Sequence, residues 1–469
     1  MNYLLIFIPL IAMVLVNLLP KKIRPVSAFL TLLLILAAQS VFAALAPFGI
    51  FHAVGAVKME RIFGFHLVID NLSLLLILSA GIVGFTALMT AWHMIESEDE
   101  RFNFTSLLFI LLIGMNGISM LRDLFSLYVF IEAIAVSTFI LILLQRAREA
   151  YEGALKYLIL SVTASALMLT SIALFIMFCG GTSFEAIRIS LASYGILAKI
   201  AIALFICGLF IKGGLVPFHG WLADAYSSAP APVSVILAGV VTKASGIFTL
   251  IRVLTSVIGF SLAVKELLLV VGAISILVGA LAALGQKDIK RMLAYSSISQ
   301  MGYIMVALGC GTKLGLLAAA FHFLNHAIFK SQLFANAAAV EQQTGTRDLT
   351  EMGGLAQRMP VTGVTSLIAS LSTAGIPPLS GFWSKLLIII ALWVSGNQFY
   401  AVLALLASIL TLAYFLYLQR AAFFGEVSSK MTAVTEPQKA GMLIPVVLLS
   451  SITVGLGLAF PFVIRYFVR

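Results

Sequence analysis

Charge is scarce in this 469-residue chain, since only 10% of its residues are charged whereas 61% are hydrophobic. A soluble domain carries about 25% charged residues, so the composition excludes a soluble fold. Cysteine is also scarce, and Cys179, Cys207 and Cys310 lie far apart without a CxxC pair. This argues against an iron–sulfur cluster or a structural zinc site and predicts buried thiols. No P-loop or GxGxxG sequence opens a helix, so nucleotide-driven transport and a resident dinucleotide have no support.

Long apolar runs follow one another from end to end of the chain. A run of about 18 apolar residues forms a helix that can cross a hydrocarbon core about 30 Å thick. The runs therefore predict an all-α integral membrane protein of about fourteen transmembrane segments. Numbered 1 to 14, they lie near residues 3–19, 25–46, 72–95, 104–121, 124–145, 155–178, 197–224, 232–256, 262–284, 292–310, 313–340, 361–394, 398–419 and 441–466.

Basic residues outnumber acidic ones, with a formal net charge of +10. They are scattered in short loops without a basic run, so nucleic acid is not an expected partner. The positive-inside rule puts the richer set of loops in the cytoplasm and both termini outside a cell inner membrane. The richer set holds Lys21, Lys22, Arg24, Arg101, Arg146, Arg148, Lys287, Lys290, Arg291, Arg347, Arg358, Arg420, Lys430 and Lys439, and the opposite set holds Lys58, Arg61, Arg122, Arg188, Lys265, Lys313, Arg465 and Arg469.

Two segments, 7 and 12, are interrupted by the same GxxPxxG pattern. Segment 12 follows segment 7 by five segments. Because five is odd, two repeats of five helices would have opposite orientations in the membrane, as in transporters. A packing kink is the alternative for each break. The interpretation predicts discontinuous helices at Gly214, Pro217 and Gly220 and at Gly375, Pro377, Pro378 and Gly381. It divides the chain into residues 1–103, repeat 1 at 104–257, repeat 2 at 258–420 and a last helix within 421–469.

Glu132 in segment 5 and Lys212 in segment 7 are ionisable residues near mid-membrane depth. A charge there costs roughly 2.5–3.5 kcal/mol to insert, so each is expected to be paired, neutralised or hydrated. An ion pair between them would meet that need. A static pair that fixes helix packing is one interpretation. The other interpretation is a proton switch, since a nearby carboxylate and burial shift the pKa of a lysine in opposite directions.

Lys243 and Lys385 are two further lysines in apolar segments, and neither has an acidic residue in its own segment. Lys243 is about eleven residues into segment 8, too deep to reach the surface easily. Lys385 follows Gly381 by four residues, beyond the second break, and a lysine that extends to the membrane surface is the alternative there.

His322, His326 and Lys330 are spaced at i, i+4 and i+8 and share one face of segment 11. They form a polar ladder suited to a proton relay. Packing histidines and a metal site are the alternatives, although the spacing is not HExxH and no third ligand lies nearby in sequence. Together with the four residues above, the ladder predicts a hydrated proton path through the bundle.

At these motifs the chain resembles the antiporter-like subunits shared by respiratory complex I, Mrp-type cation/proton antiporters and group 4 energy-converting membrane hydrogenases. The resemblance rests on KGGLVPFHGWLADA from Lys212, APAPVS from Ala229, DIKRMLAYSSISQMGY from Asp288, NHAIFK from Asn325 and GIPPLSGFWSK from Gly375. Ala223 and Ser227-Ser228 depart from the family pattern, outside the charge path.

The resemblance implies a fourteen-helix fold with inverted repeats at helices 4–8 and 9–13. It implies that Glu132 and Lys212 are the charge pair, that Lys243 is the connecting lysine and that Lys385 is the terminal lysine, with His322, His326 and Lys330 as the relay between them. Partner membrane and redox subunits would drive the protons, and this chain would hold no cofactor, metal or redox centre of its own.

The HAIFK string resembles the hydrogenase, Mrp and largest complex I subunit branches more than the others, and together with Lys385 it favours a hydrogenase-type or similar complex. An Mrp-type Na+/H+ antiporter subunit is the alternative, which leaves Na+ open as a second ion. A solute transporter with the same broken helices would instead need a substrate pocket between the repeats. A purely structural membrane scaffold fits the buried lysines poorly.

Overall fold

The computed structural model describes residues 3–48, 60–62, 65–145, 147–191, 195–437, 440–460 and 462. The described residues are almost entirely helical. Parts of the sequence predictions lie outside them, namely the end of segment 14 at residues 463–466 and the basic residues Lys58, Arg146, Lys439, Arg465 and Arg469.

The helices, numbered here in chain order, are α1 Leu4–Asn17, α2 Arg24–Leu45, α3 Asn71–Met94, α4 Glu98–Met120, α5 Leu124–Ile142, α6 Arg148–Cys179, α7 Phe184–Ser190, α8 Gly195–Lys212, α9 Gly220–Ser228, α10 Ala231–Ile258, α11 Leu262–Leu284, α12 Ile289–Gly309, α13 Lys313–Thr344, α14 Leu355–Arg358, α15 Pro360–Ala374, α16 Ser380–Val394, α17 Gln398–Phe423 and α18 Ala440–Leu458. A short antiparallel hairpin pairs β1 Glu60–Ile62 with β2 Phe65–Leu67.

Ten of the described helices are long and apolar enough to cross a membrane. The prediction of a multi-pass helical membrane protein is therefore confirmed, whereas the count of fourteen spans remains a prediction. Each predicted segment overlaps a helix, and segments 7 and 12 are each two helices, α8 with α9 and α15 with α16. The short helices α7 and α14 were not predicted, because their few residues carry too little periodicity.

Several local features occur twice along the chain at the same interval. Asp123 caps the start of α5 and Asp288 caps the start of α12, each by accepting a hydrogen bond from a backbone N–H three residues later. Gly180 ends α6 and Gly345 ends α13, both in the left-handed conformation. The last turns of α10 and α17 are both π-helical.

The helices α10 and α13 form the centre of the bundle. An 18-residue window of α10 is completely buried, and almost every residue of α13 from Ala318 to Val340 is buried. Surrounding helices present Leu, Ile and Val to the outside, notably on α1, α2 and α6. The central helices are thus covered by protein, so they can carry ionisable side chains away from lipid. Of the cysteines, Cys310 is buried, but the expectation of buried thiols is wrong for Cys179 and Cys207, which are partly exposed.

Candidate functional site

The first helix break connects α8 to α9 and lies beside Lys212, the last residue of α8. Gly214 has φ +64°, and a side chain there would overlap Leu222, so the turn requires glycine. The Trp221 indole N–H donates to the carbonyl of Ile211 at 3.0 Å. The interruption leaves the carbonyl end of α8 at the lysine, where the helix dipole favours a positive charge.

Lys212 and Glu132 form an ion pair, with Lys212 Nζ 3.0 Å from Glu132 Oε1. Two serines of α6 complete the cluster. Lys212 Nζ donates to Ser161 Oγ at 2.8 Å and to Ser165 Oγ at 3.2 Å, and Ser165 Oγ donates to the same carboxylate oxygen at 2.6 Å. The lysine side chain is 3% exposed and the carboxylate 29%. The ammonium is therefore fully coordinated, while the carboxylate reaches the outer face of α5.

Lys243 lies in the middle of α10, where the helix winds as π-helix at Leu237–Val241 and again at Lys243–Phe248. Its ammonium donates to the carbonyl of Ala238. Gly246, one turn later, packs on the backbone of Gly213 beside Lys212. π-Helical turns occur frequently at functional sites. Here the Lys243 amine, in the centre of the bundle, hydrogen-bonds a backbone carbonyl in the π-helical part of its own helix.

Lys330 and His326 lie one turn apart on α13 and are both fully buried. Lys330 Nζ donates to the carbonyl of Leu293 at 3.0 Å and to the Ser296 hydroxyl of α12. Neither ring nitrogen of His326 has a hydrogen-bond partner among the described residues.

The second break connects α15 to α16 and lies beside Lys385. Gly375 ends α15 with φ +91°, and a side chain at Gly381 would overlap the carbonyl of Ser372. Lys385 Nζ lies 3.4 Å from the carbonyl oxygen of Ala374, the last residue of α15. Lys385 thus faces the carbonyl end of a half-helix, whereas Lys212 is the last residue of its own half-helix and binds Glu132 and two serines. The two breaks each contain one cis peptide bond, Val216–Pro217 and Pro377–Pro378.

Lys385 also lies over an aromatic ring and beside a histidine. Its Nζ is 4.5 Å from the centroid of the Tyr303 ring, a favourable cation–π distance. The neighbouring Ser384 Oγ is 2.9 Å from His322 Nδ1, and the rings of His322 and His326 are 6.3 Å apart. Lys385 is 3% exposed, so it does not extend to the surface.

The seven predicted site residues thus form three groups. Glu132 and Lys212 form the first, Lys243 of α10 with His326 and Lys330 of the adjacent α13 the second, and His322 with Lys385, linked through Ser384, the third. The first and second groups are joined through the backbone contact of Gly213 with Gly246, and the second and third through the histidine ladder. Among the described residues no three His, Cys, Asp or Glu side chains converge as they would around a metal ion.

Polar atoms without protein partners accompany these groups. In the described part of the chain, buried and unpaired atoms include His322 Nε2, Asn325 Oδ1, both amide atoms of Gln300 and the Tyr414 hydroxyl. An unsatisfied buried polar group costs about 1–3 kcal/mol, and buried water normally satisfies such groups. The arrangement is therefore suited to holding water between the lysines.

Sequence reasoning missed the residues that bind the lysines from other helices. Ser161 and Ser165 contact Lys212, Ser296 contacts Lys330, and the Tyr303 ring lies under Lys385. The i, i+4 spacing of the two α6 serines was the available signal, since it puts both hydroxyls on one face of an apolar helix. Hydroxyl residues are common in membrane helices, so spacing alone did not distinguish them.

Ion pairs at one surface of the bundle also escaped prediction. Asp224 of α9 binds Lys156 of α6 at 2.7 Å and Arg291 of α12 at 2.6 Å. Arg347 binds Glu149 at 3.1 Å and Asp288 at 3.2 Å. Two of these pairs, Asp224 with Arg291 and Arg347 with Glu149, join residues 104–257 to residues 258–420, so they fix these two parts of the chain against each other on that surface.

Residues 122–411 match the family model described as NADH:quinone oxidoreductase/Mrp antiporter, TM. The match covers more than half of the chain and both helix breaks. The chain belongs to this family. Its membership confirms the resemblance drawn from the motifs.

Individual family members are similar over most of the chain. A Na(+)/H(+) antiporter subunit of Alkalihalophilus pseudofirmus is 35% identical over 86% of this chain and 82% of that protein. The NADH-quinone oxidoreductase subunit N of Desulforudis audaxviator is 33% identical over 84% of this chain and 82% of that protein. A chain of the Mrp complex from Dietzia sp. DQ12-45-1b superimposes with a TM-score of 0.91 at 25% identity, covering 99% of this chain and 96% of that one. The chain is thus an antiporter-like membrane subunit.

Proposed function

We propose that this subunit moves protons across the membrane along Glu132, Lys212, Lys243, the α13 ladder and Lys385. The observation that carries the proposal is the row of buried lysines, each held by carbonyl, hydroxyl or carboxylate oxygens in the interior of an apolar bundle. A buried lysine that keeps polar partners in both protonation states is suited to accept and release a proton. His322, His326 and Lys330 would relay the proton between Lys243 and Lys385.

The path uses a lysine at each of the two breaks. At the second break the terminal carbonyl of α15 stabilises the Lys385 ammonium when the proton is present, and at the first break the dipole of α8 favours the positive charge of Lys212 at its carbonyl end. When the proton leaves, the freed carbonyls turn to water. The recurrence of helix caps, left-handed glycines and π-helical ends along the chain supports two repeats, at residues 104–257 and 258–420, with residues 1–103 and 421–469 flanking them.

We further propose fourteen spans, inverted repeats and both termini outside a cell inner membrane. The odd number of helices between the breaks supports the inversion. The greater number of Lys and Arg residues in the loops after segments 1, 3, 5, 9, 11 and 13 supports the orientation. On this topology the ion pairs of Asp224 and Arg347 face the cytoplasm.

A neighbouring membrane subunit is expected on the outer face of α5. Glu132 lies on the same stripe as Val129 and Val136, which are 48% and 58% exposed. A carboxylate on such an apolar face is costly to leave in lipid. A partner protein that covers this face would supply a further polar contact, beyond Lys212 and Ser165, and give that partner control over the Glu132–Lys212 pair.

The parent assembly on this proposal is a redox-driven, complex I-like complex, supported by the similarity to subunit N of a NADH-quinone oxidoreductase. An Mrp-type Na+/H+ antiporter subunit is the second candidate. The 35% identity to the Alkalihalophilus pseudofirmus antiporter protein and the TM-score of 0.91 to an Mrp chain favour it. Both candidates use the same proton path and differ in what drives it.

The test replaces the chain by variants in its own complex and measures proton movement in inverted membrane vesicles with a pH-sensitive dye. Lys212→Ala and Glu132→Gln are expected to abolish proton movement while the complex still assembles. Lys199→Ala is the matched control, because Lys199 is an exposed lysine on the same helix. Adding NADH or hydrogen tests the redox-driven assembly, and a Na+ pulse tests the antiporter.

Normal proton movement in both Lys212→Ala and Glu132→Gln would contradict the proposed path. Proton movement that starts on the Na+ pulse and not with either electron donor would select the antiporter over the redox-driven assembly.

A further inference from the structure

The half-helix α15, which ends at the second break, is capped at its start by a distant part of the chain. Pro360 is its first residue and has no backbone N–H, and Met359 before it makes no capping hydrogen bond with its side chain. The N–H groups of Val361 and Thr362 have no acceptor within the helix. Glu436, which lies 74 residues after Thr362, binds both.

The Glu436 carboxylate binds this first turn through both of its oxygens. The Val361 N–H donates to Oε2 at 2.7 Å, and the Thr362 N–H donates to Oε1 at 3.2 Å. The Thr362 hydroxyl also donates to Oε1. Hydrogen bonds to a carboxylate are stronger than those between neutral groups, and a negative charge at a helix N-terminus complements the helix dipole. The cap therefore holds the first turn of α15 firmly.

Glu436 belongs to the connection between α17 and α18, which touches the chain at two further points before α15. Lys430 Nζ lies 2.8 Å from Glu351 Oε1, and both side chains are exposed. A side chain at Gly354 would overlap the backbone of Val427. These two contacts reach the chain between α13 and α15, whereas the Glu436 carboxylate reaches α15 itself.

The middle of α15 is held by two side-chain amides from neighbouring helices. Gln332 of α13 donates to the carbonyl of Thr365 at 2.7 Å, and Gln419 of α17 donates to the hydroxyls of Ser366 and Ser370, each at 2.9 Å. All five residues are buried. A helix with an intact hydrogen-bond ladder moves as a rigid element. With its middle held, a displacement of the first turn of α15 tilts the last turn in the opposite direction.

The last turn of α15 lies at Lys385. The amine is 3.4 Å from the carbonyl oxygen of Ala374, and in the described part of the chain this is its one hydrogen bond. The distance is at the long end of the range for a hydrogen bond, so a small displacement breaks the contact. Fifteen residues of α-helix separate the Glu436 cap from this carbonyl by about 22 Å.

We propose that Glu436 is a positioning residue for Lys385. Its carboxylate fixes the tilt of α15 and thereby keeps the Ala374 carbonyl at the Lys385 amine. The inference rests on the proposed function, in which Lys385 transfers protons, and Glu436 itself transfers none. On the proposed topology the connection after α17 faces the cytoplasm, so a lysine inside the membrane is positioned from the cytoplasmic surface.

The first test measures proton movement in vesicles that carry the whole complex. Glu436→Ala removes the cap, and proton flux should fall about fivefold, which corresponds to about 1 kcal/mol in the transfer barrier. Glu436→Gln keeps one of the two acceptor oxygens, so its flux should be intermediate. Glu426→Gln is the matched control, because Glu426 is an exposed carboxylate in the same connection. Lys430→Ala is a second control, since it breaks the contact with Glu351 and leaves the cap in place.

Amide hydrogen exchange of the purified complex separates positioning from local capping. A change in the tilt of α15 should speed exchange in Glu436→Ala as far as Gly375 and Ile376, whose N–H groups donate to the carbonyl of Leu371 at the break. Faster exchange confined to the first turn would show a purely local cap and overturn the positioning role.

Lys385→Ala in the same vesicles tests the proposed function separately. If Lys385→Ala stops proton movement while an assembled Glu436→Ala complex moves protons normally, the positioning role is overturned and the main path stands. The same conclusion follows if Lys430→Ala lowers the flux as much as Glu436→Ala does. If Glu436→Ala does not assemble, Glu436→Gln decides, and normal flux in it overturns the positioning role. If Lys385→Ala also moves protons normally, the proposed function itself fails.

Discussion

Gly246 offers a direct test of how α10 is held against the first helix break. A methyl group added at Gly246 would overlap the Cα and N atoms of Gly213 and lie 3.0 Å from the carbonyl carbon of Lys212. Non-bonded carbon atoms prefer a separation of about 3.5–4.0 Å. Gly246→Ala must therefore move α10 away from Lys212 by roughly 0.5 Å, and from Gly213 by more. The obstructing atoms belong to the backbone, so a change of side-chain rotamer cannot relieve the overlap.

The expected energy has two opposing parts. Inserting a methyl group into a closely packed contact costs about 1–3 kcal/mol, whereas alanine is favoured over glycine inside a helix by about 0.5–1 kcal/mol. If Gly246→Ala lowers the free energy of unfolding although alanine is the better helix former, the loss therefore comes from the overlap. Displacement of α10 also carries Lys243 away from Lys212, and since a misplacement of about 1 Å costs a catalytic site about 100-fold, proton flux should fall at least about tenfold.

Thermal unfolding of the purified complex and dye-monitored proton movement in vesicles measure the two effects. Gly455→Ala in α18 is the matched control, because it is also a helical glycine and nothing lies within 4 Å of the added methyl group. An unfolding temperature and proton flux equal to those of the native protein in Gly246→Ala would refute the close contact of α10 with the break.

Other substitutions test the ion pair at the start of α3 and the second break. Asp70 binds the buried Arg252 at 2.5 Å and 2.9 Å, so Asp70→Asn should lower the stability by about 3 kcal/mol in thermal unfolding, with the exposed Asp99→Asn as control. Burial raises the pKa of Asp70, but Arg252 and then Arg122 lower it more, so the carboxyl titrates well below its usual range. The contribution of ionised Asp70 to the free energy of unfolding is complete above its pKa in the unfolded chain, about 3.9, and is lost as the pH falls towards its lower pKa in the folded protein. Over that range, the unfolding temperature of Asp70→Asn should therefore depend less on pH than that of the native protein. Gly381→Ala should abolish proton movement, since its methyl group would overlap the Ser372 carbonyl, and normal flux would show that the second break tolerates widening.

The sequence specified the membrane helices and their two breaks. Apolar runs are local, and a helix satisfies its own backbone in lipid, so segment positions follow from composition along the chain. The breaks at Pro217 and Pro378 were equally local, because each cluster combines proline with two glycines, whereas the single prolines Pro9 and Pro445 lie inside continuous helices. Isolated lysines in apolar runs were visible for the same reason.

Segment ends were predicted less well. Segment 6 was expected from residue 155, whereas α6 begins at Arg148. Its first turns carry Glu149, Glu152 and Lys156, which form ion pairs with each other or with other helices. From the sequence alone, a charged helical turn cannot be distinguished from a loop unless the ion-pair partners of its residues are known. The π-helical winding around Lys243 had no sequence signal either.

Only the tertiary structure decided which groups meet. Glu132 lies 80 residues from Lys212 in sequence, and Arg252 lies 182 residues from Asp70. Such pairs depend on how whole helices cross, which no local pattern encodes. The charge pair was predicted from the cost of a lone buried charge, but the serines around Lys212, the Tyr303 ring under Lys385 and the contact of Gly246 with Gly213 required packing. The sequence by itself determined that ionisable groups lie within apolar helices, and the packing determined which of them contact one another.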